Sequence, residues 1–292
     1  MKRFAVLLCC GLALLTTSCG SRRNRIVIGS KNFTEQLILG ELLAQQLEHT
    51  TGLTIERRFY LAGTYICQQA LLADRIDMYV EYTGTALTAI LKEKPSRNHQ
   101  DVYERVKQGY ARQFGLTVGE PLGFDNTFAI VIRGEDARRL NLHTISQAAK
   151  YTPQWRAGFG YEFMERPDGY EGLARTYALR FAAPPRIMDL GLLYRALKTK
   201  EVDIVAGSAT DGLISALGFV VLEDDHHYFP PYDAVPIIRE QVLREHPEVR
   251  TAVAALAGKI TEEDMRRMNY AVDSEHRDAT RVVAEFLREK GL

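Results

Sequence analysis

Apolar and polar positions along the chain repeat one short phrase. In Leu71-Leu72-Ala73-Asp74-Arg75-Ile76-Asp77-Met78-Tyr79-Val80-Glu81-Tyr82-Thr83-Gly84-Thr85 a helical run ends near Asp74 and Arg75. A short apolar strand follows at residues 76–80, and a Thr/Gly turn starts another helix at Ala86-Leu87. Thr83 or Thr85 is expected to cap that helix. The stretch Leu197-Lys198-Thr199-Lys200-Glu201-Val202-Asp203-Ile204-Val205-Ala206-Gly207-Ser208-Ala209-Thr210-Asp211-Gly212 has the same grammar, with Asp203 falling on Asp77 and Ser208 on Tyr82. A strand that runs into a helix N-terminus leaves backbone N–H groups free at one edge of a sheet, where open α/β folds bind ligands. Two such units predict two similar α/β lobes with a small-molecule cleft between them.

The remaining segments fit that plan. Arg25-Ile26-Val27-Ile28-Gly29-Ser30 reads as the first strand, running through Lys31 and Asn32 into a helix at 37–49, for which Asn32 or Thr34 would be the cap. A strand is expected at 53–60, an amphipathic helix at 101–114, and a strongly apolar strand ending at Ile132 that crosses to the second lobe. There a helix is expected at 145–150 and a strand at 156–160 leading into Tyr161 and Glu162. Helices at 173–181 and 190–198 and a strand at 219–222 follow, with a return crossing at 234–238. The helical remainder, 240–292, is expected to pack back on lobe one. The glycines after residue 156 lack dinucleotide-fingerprint spacing, and no phosphate loop is present.

Composition narrows the function. Among 292 residues, 37 Lys and Arg balance 37 Asp and Glu, which argues against a nucleic-acid binder. Three of the four cysteines lie in the first twenty residues, so no disulfide framework serves the body, and Cys67 reads as a small helix residue. Lys2 and Arg3 before a short apolar run make residues 1–19 an export signal. Leu15-Thr16-Thr17-Ser18-Cys19-Gly20 resembles a bacterial lipobox with Leu one place early, which would make Cys19 the lipid-modified anchor. An ordinary secretory signal is the alternative.

The segments Gly29-Ser30-Lys31-Asn32-Phe33-Thr34-Glu35, Tyr82-Thr83-Gly84-Thr85, Gly123-Phe124-Asp125-Asn126-Thr127, Thr210-Asp211-Gly212, and Glu223-Asp224-Asp225 through Phe229-Pro230-Pro231-Tyr232-Asp233 together resemble the substrate-binding proteins of osmoprotectant ABC importers. These serve glycine betaine, choline, carnitine and similar quaternary amines. The resemblance spans nearly all of residues 26–289. It implies an α/β, two-lobe periplasmic-binding-protein fold (type II) with two crossing strands and hinge closure around the ligand. Lobe one would comprise 25–127 and 233–292, lobe two 128–232, with hinges near Thr127 and Phe128 and near Asp233 and Ala234. In that family rings surround the cationic head group, because a quaternary ammonium donates no strong hydrogen bond and is attracted by ring faces. Tyr82 keeps its aromatic place and Thr85 its polar one. Phe128 stands where Tyr is usual, Ser208 where lobe two often has Tyr, and Leu217 at another often aromatic position. The implied cage is therefore thinned on the lobe-two side.

The candidate ligand contacts are Lys31, Asn32, Tyr82, Thr85, Phe128, Glu162, Ser208, Thr210 and Asp211, with Arg166 weaker and Asp211 also a helix cap. Asp224, Asp225, His226 and His227 read as a solvated turn rather than a metal site, and Asp77 and Asp203 as a shared architectural pair. No cofactor and no metal are expected. The function expected is that of an extracytoplasmic solute-binding lipoprotein, a monomer that hands its solute to a membrane permease driven by a separate ATPase. The alternative is a periplasmic sensor of the same fold with a different ligand. No serine elbow, Cys–His arrangement or zinc motif supports an enzyme.

Overall fold

The computed structural model describes residues 24–292; the export signal and Cys19 lie outside them. Ten strands form two five-stranded sheets. In chain order they are β1 (Arg25–Lys31), β2 (Thr54–Ala62), β3 (Met78–Tyr82), β4 (Leu116–Val118), β5 (Phe128–Arg133), β6 (Ala157–Phe159), β7 (Arg186–Ile187), β8 (Ile204–Ser208), β9 (Phe219–Leu222) and β10 (Ala234–Arg239). One sheet has the order β2-β1-β3-β10-β4 and the other β7-β6-β8-β5-β9. The two orders are the same pattern. In each, three parallel strands are followed by one antiparallel strand that has entered from the other lobe. β5 and β10 carry the crossings, and their approaches pair through an antiparallel bridge between Asp125 and Asp233. Gly123 allows the first approach, because its φ of 120° and the carbonyl of Ile260, 2.7 Å from a hypothetical Cβ, exclude a side chain.

Helix Thr34–Thr51 lies under the first sheet and packs against three C-terminal helices, Glu248–Ala254, Glu262–Asp273 and Ala279–Lys290. Glu262–Asp273 also abuts the short lobe-two helix Gly212–Ala216, where a Cβ on Gly212 would lie 2.7 Å from Tyr270. No described helix is long and apolar enough to cross a membrane.

Several local expectations shift. β3 begins at Met78 rather than Ile76, because a turn with Asp74 in the left-handed region comes first. Phe33 occupies the N-cap of helix Thr34–Thr51 without a side-chain cap, so neither Asn32 nor Thr34 caps it, and Thr34 donates to Asp273 (2.5 Å). Thr83 and Thr85 do not cap either. The Thr83 hydroxyl donates to the Pro231 carbonyl (3.2 Å) and accepts from the Asp233 N–H (3.0 Å). Strands β4 and β7 and helix Gly134–Leu140 are additional elements too short for a periodicity to register.

Candidate functional site

The strand ends of the two lobes face one another across a cavity of about 510 Å³. Lobe one contributes Lys31 and Asn32 from the end of β1 and Tyr82 and Thr85 from the end of β3. From the crossing and lobe two come Phe128, Glu162, Arg166, Ser208 and Asp211. Thr210 is the exception among the sequence candidates. It is fully buried behind the wall, where its hydroxyl donates to Glu35. Leu217 packs against lobe two's own core.

Each lobe contributes one aromatic ring at the same ladder rung. Tyr82 pairs with Ala234, the first residue of β10, and Ser208 pairs with Phe128, the first residue of β5. Phe128 packs edge-on against Phe163 (ring centroids 4.8 Å) and Tyr232 (5.5 Å). Tyr232, Tyr194, Asn126 and Phe163 also line the cavity. Sequence reasoning left these unassigned. The signal for Tyr232 was present in Phe229-Pro230-Pro231-Tyr232-Asp233, but only the pairing of the two crossings brings that segment to the cleft.

Two basic groups reach the same rings, each with its own acid. The Lys31 ammonium is buried in an ion pair with Glu81 and lies 4.9 Å from the Tyr82 ring centroid. The Arg166 guanidinium lies 4.9 Å from the centroid of Phe128 and 5.6 Å from that of Tyr232. It is paired with Asp168 through Nε (2.9 Å) and Nη2 (2.5 Å). Burial works against ionising Asp168, but the Arg166 charge and the hydroxyl of Tyr232 (2.6 Å) outweigh it and hold the carboxyl below its ordinary range. Arg166 sits at the C-cap of helix Tyr161–Glu165 rather than at a helix start.

Beneath the cavity, Glu35 ties the parts together. Its carboxylate accepts from the Tyr82 hydroxyl (2.6 Å), Asn126 Nδ2 (2.7 Å), Asn269 Nδ2 (3.0 Å) and the Thr210 hydroxyl. Those donors belong to β3, the outgoing crossing, the C-terminal helices and lobe two. Burial raises the Glu35 pKa despite all four bonds. Asp211 accepts from the Leu213 N–H (3.2 Å) at the start of helix Gly212–Ala216, the capping role expected of it. Burial, with Asp273 and Glu35 nearby, pushes its pKa up to about 7.

In the acidic turn after β9, Asp224 binds the turn's own backbone. Asp224 accepts from the N–H groups of Tyr228 and Phe229 (both 2.9 Å) and from the Tyr177 hydroxyl. His99, Asp125 and Asp233 are the described residues whose donor atoms gather as a metal site would. They lie at the crossing, where His99 Nδ1 meets Asp233 Oδ2 at 2.8 Å. Asp77 and Asp203 lie at the far ends of the sheets from the cavity and bind arginines there.

The family model for the substrate binding domain of an ABC-type glycine betaine transport system matches residues 24–289. The carnitine transport binding protein OpuCC of Listeria monocytogenes is 34% identical over 296 residues, covering 98% of this chain and 95% of that one. The ergothioneine transport permease/ergothioneine binding protein EgtU of Helicobacter pylori is 33% identical over 268 residues, 91% of this chain and 48% of the larger relative. A crystal structure described as a glycine betaine/carnitine/choline ABC transporter matches with a TM-score of 0.76 and 34% identity, over 91% of this chain and 98% of its own.

Proposed function

The chain belongs to the family of substrate-binding domains of ABC-type glycine betaine transport systems, and we propose that it captures a small cationic or zwitterionic solute of the quaternary-amine class. It is the extracytoplasmic solute-binding component of an ABC importer, with a permease as its partner. The observation that carries the ligand class is the convergence of Tyr82, Phe128 and Tyr232 on one cavity with Lys31 and Arg166. Ring faces attract a quaternary ammonium that can donate no hydrogen bond. Lys31 and Arg166 do not repel it outright, since Glu81 and Asp168 balance them. Arg166 spends Nε and Nη2 on Asp168, which leaves Nη1 for a ligand carboxylate. Asn32, Thr85, Glu162, Ser208 and Asp211 complete the contacts. Thr210 acts through Glu35.

In this reading the lobes, 25–127 with 233–292 and 128–232, close about Thr127–Phe128 and Asp233–Ala234. Closure packs Glu162 against Gly63, where a Cβ would come within 2.0 Å of its carboxylate. Cys19 carries the lipid anchor, and the protein works as a monomer. Calorimetric titration of protein refolded free of carried-over solute tests the ligand class. A one-to-one isotherm with glycine betaine, choline or carnitine, abolished or strongly weakened in Tyr82→Ala, is expected. Silence across all quaternary amines would remove the ligand class and leave the importer role.

A further inference from the structure

Where the two crossing segments meet, three side chains from distant parts of the chain converge. Asp125 and Asp233 are partners across the antiparallel bridge, which sets two carboxylates side by side. Like charges opposite one another on paired strands repel. Among the described residues neither carboxylate has a Lys or Arg partner, and the charge of Glu262 adds to the repulsion on Asp125. The group that faces both is His99, the first residue of the lobe-one helix His99–Phe114.

One neutral imidazole cannot serve both acids. His99 Nδ1 lies 3.0 and 2.8 Å from the two oxygens of Asp233, and these contacts assign the ring proton to that nitrogen. Nε2 then carries a lone pair. It faces Asp125 Oδ2 at 3.9 Å, too far for a hydrogen bond. The other Asp125 oxygen accepts from the Tyr232 N–H (3.2 Å). Two acceptors thus face one another, an arrangement that calls for a cation between them. A carboxylate that holds Nδ1–H while Nε2 binds a metal ion is the usual support of a ligating histidine. Bonds of about 2.0–2.2 Å from each side span up to about 4.3 Å, so the 3.9 Å separation admits the ion. The donor atoms of all three residues lie within 4.8 Å of one another.

The surroundings can complete a coordination shell with water. His99 and Asp233 line a cavity of about 310 Å³ together with Tyr103, Lys107 and Glu120. The Tyr103 hydroxyl, on a residue 5% exposed, lies near Glu120 but outside hydrogen-bond geometry, so it is free to meet such a water. Lys107 is drawn to Glu120 (3.8 Å) rather than to Asp233. We propose that His99, Asp125 and Asp233 form a site for a divalent metal ion of the zinc type, with His99 Nε2 and Asp125 as ligands and Asp233 holding the imidazole. An imidazole nitrogen favours zinc over calcium and magnesium, which take oxygen ligands. The ion clips helix His99–Phe114 to both crossing segments and so stabilises the place where the lobes are joined. The sequence suggested no metal, because the three residues come together only through the pairing of the crossings.

The test is calorimetric titration of the mature, metal-free protein with zinc chloride, alongside thermal unfolding with and without the ion. It is done without solute, so its outcome does not depend on the solute reading. A one-to-one zinc isotherm and a raised unfolding midpoint are expected, with magnesium and calcium giving neither. His99→Ala and Asp125→Asn should each abolish the isotherm. Asp233→Asn, which only loosens the ring, should weaken it by about 10–100-fold. Unfolding of the metal-free variants shows that each still folds. No zinc isotherm from the wild-type protein would overturn the proposal, since a proton rather than a metal would then bridge the acids. Zinc binding that survives His99→Ala would also overturn it, by placing the ion elsewhere. Magnesium or calcium binding as tight as zinc would remove the imidazole as a ligand.

Discussion

The two lobes are the same scaffold at one end and different at the other. At the end far from the cavity, Asp77 and Asp203 do one job. Asp77 accepts from the Val27 N–H (2.8 Å) on β1 and from Arg239 (2.9 Å) at the end of β10. Asp203 accepts from the Arg156 N–H (2.9 Å) just before β6 and from Arg133 (2.7 Å) at the end of β5. Each aspartate thus pins a parallel neighbour and the visiting antiparallel strand to the start of the third strand. At the cavity end the correspondence breaks. Tyr82 becomes Ser208, Thr83 becomes Ala209 and Thr85 becomes Asp211. The difference separates what a lobe requires to fold from what the cleft requires to discriminate. Repetition holds where strands are assembled, and these positions diverge at the end that faces the cavity.

The largest effect should follow from breaking the shared end. Asp77→Ala and Asp203→Ala each leave a strand-edge N–H without its acceptor and remove one carboxylate from a partly buried arginine, which keeps Asp74 in the case of Arg239 and Asp136 in the case of Arg133, at a cost of about 1–3 kcal/mol. Urea unfolding should register both losses. Solute affinity should hold in the folded fraction, because neither residue reaches the cavity. Since the two latches are in separate lobes, the double variant should lose the sum. A loss of binding without a loss of stability would instead make these carboxylates part of the site and end the comparison.

The next effect tests the rung where each lobe supplies one ring. Removing a ring from a desolvated cation costs about 2 kcal/mol, or about 30-fold in affinity. Tyr82→Ala and Phe128→Ala should weaken quaternary-amine binding by comparable factors. Tyr82→Phe keeps the ring and loses only the bond to Glu35, so it separates ring from hydroxyl. A loss confined to one of the alanine variants would mean that one lobe alone holds the cation.

The contrast between the two ends also marks how far the sequence could be read. The repeated helix–strand–turn phrase is local, so it yielded two lobes, the aspartate pair and most elements, with helix Leu190–Lys198 at its expected bounds. Strands β4 and β7, three and two residues long, have too little alternation to register and exist because neighbouring strands hold them. In the cavity, residues at strand ends were legible because a strand ending in a turn announces its position. Tyr232 and Asn126 were not, since they lie on crossing segments that become neighbours only through the Asp125–Asp233 bridge. Thr210 looked like a contact on its turn, yet the closeness of Glu35, 175 residues earlier, draws its hydroxyl inward. Arg166 was undervalued because its burial against Phe128 and Tyr232 depends on Asp168, a partner two residues away whose importance comes from the surrounding rings.

A smaller effect concerns Asp211, whose lobe-one counterpart, Thr85, does not titrate. With its pKa raised to about 7 by burial and by Asp273 and Glu35, Asp211 gains a proton as pH falls from 8 to 6. A ligand whose donors need the carboxylate should bind less tightly on acidification, by up to about tenfold per pH unit below 7. Stability of the solute-free protein should move the other way. Between the ordinary carboxyl value and about 7 the folded state holds a proton that the unfolded chain has released, so this group's contribution declines as pH rises. Glu35 and Asp273, also raised, act in the same direction. Titrations at pH 6, 7 and 8 check the first sign and thermal unfolding over the same range the second. Asp211→Thr, which copies lobe one, should flatten the contribution of this position to both.

The smallest effect lies where the two crossings meet the sheets. Thr83 and Ala209 make the same backbone bond to the residue preceding the visiting strand, Thr83 N–H to the Asp233 carbonyl and Ala209 N–H to the Thr127 carbonyl, both 3.0 Å. Only Thr83 adds a hydroxyl, which joins the Pro231 carbonyl to the Asp233 N–H. The return crossing is therefore bound to lobe one by side chain and backbone, and the outgoing crossing to lobe two by backbone alone. Thr83→Ala makes the two joints alike. It should cost about 1 kcal/mol, the net worth of the hydroxyl's bonds, as a shift in urea midpoint at constant slope. Amide exchange should then quicken at Asp233 toward the rate at Thr127, its counterpart before the other visiting strand. If exchange at Asp233 stays slow without the hydroxyl, the backbone ladder alone stiffens the return crossing, and the asymmetry between the joints comes from the sheet rather than from Thr83.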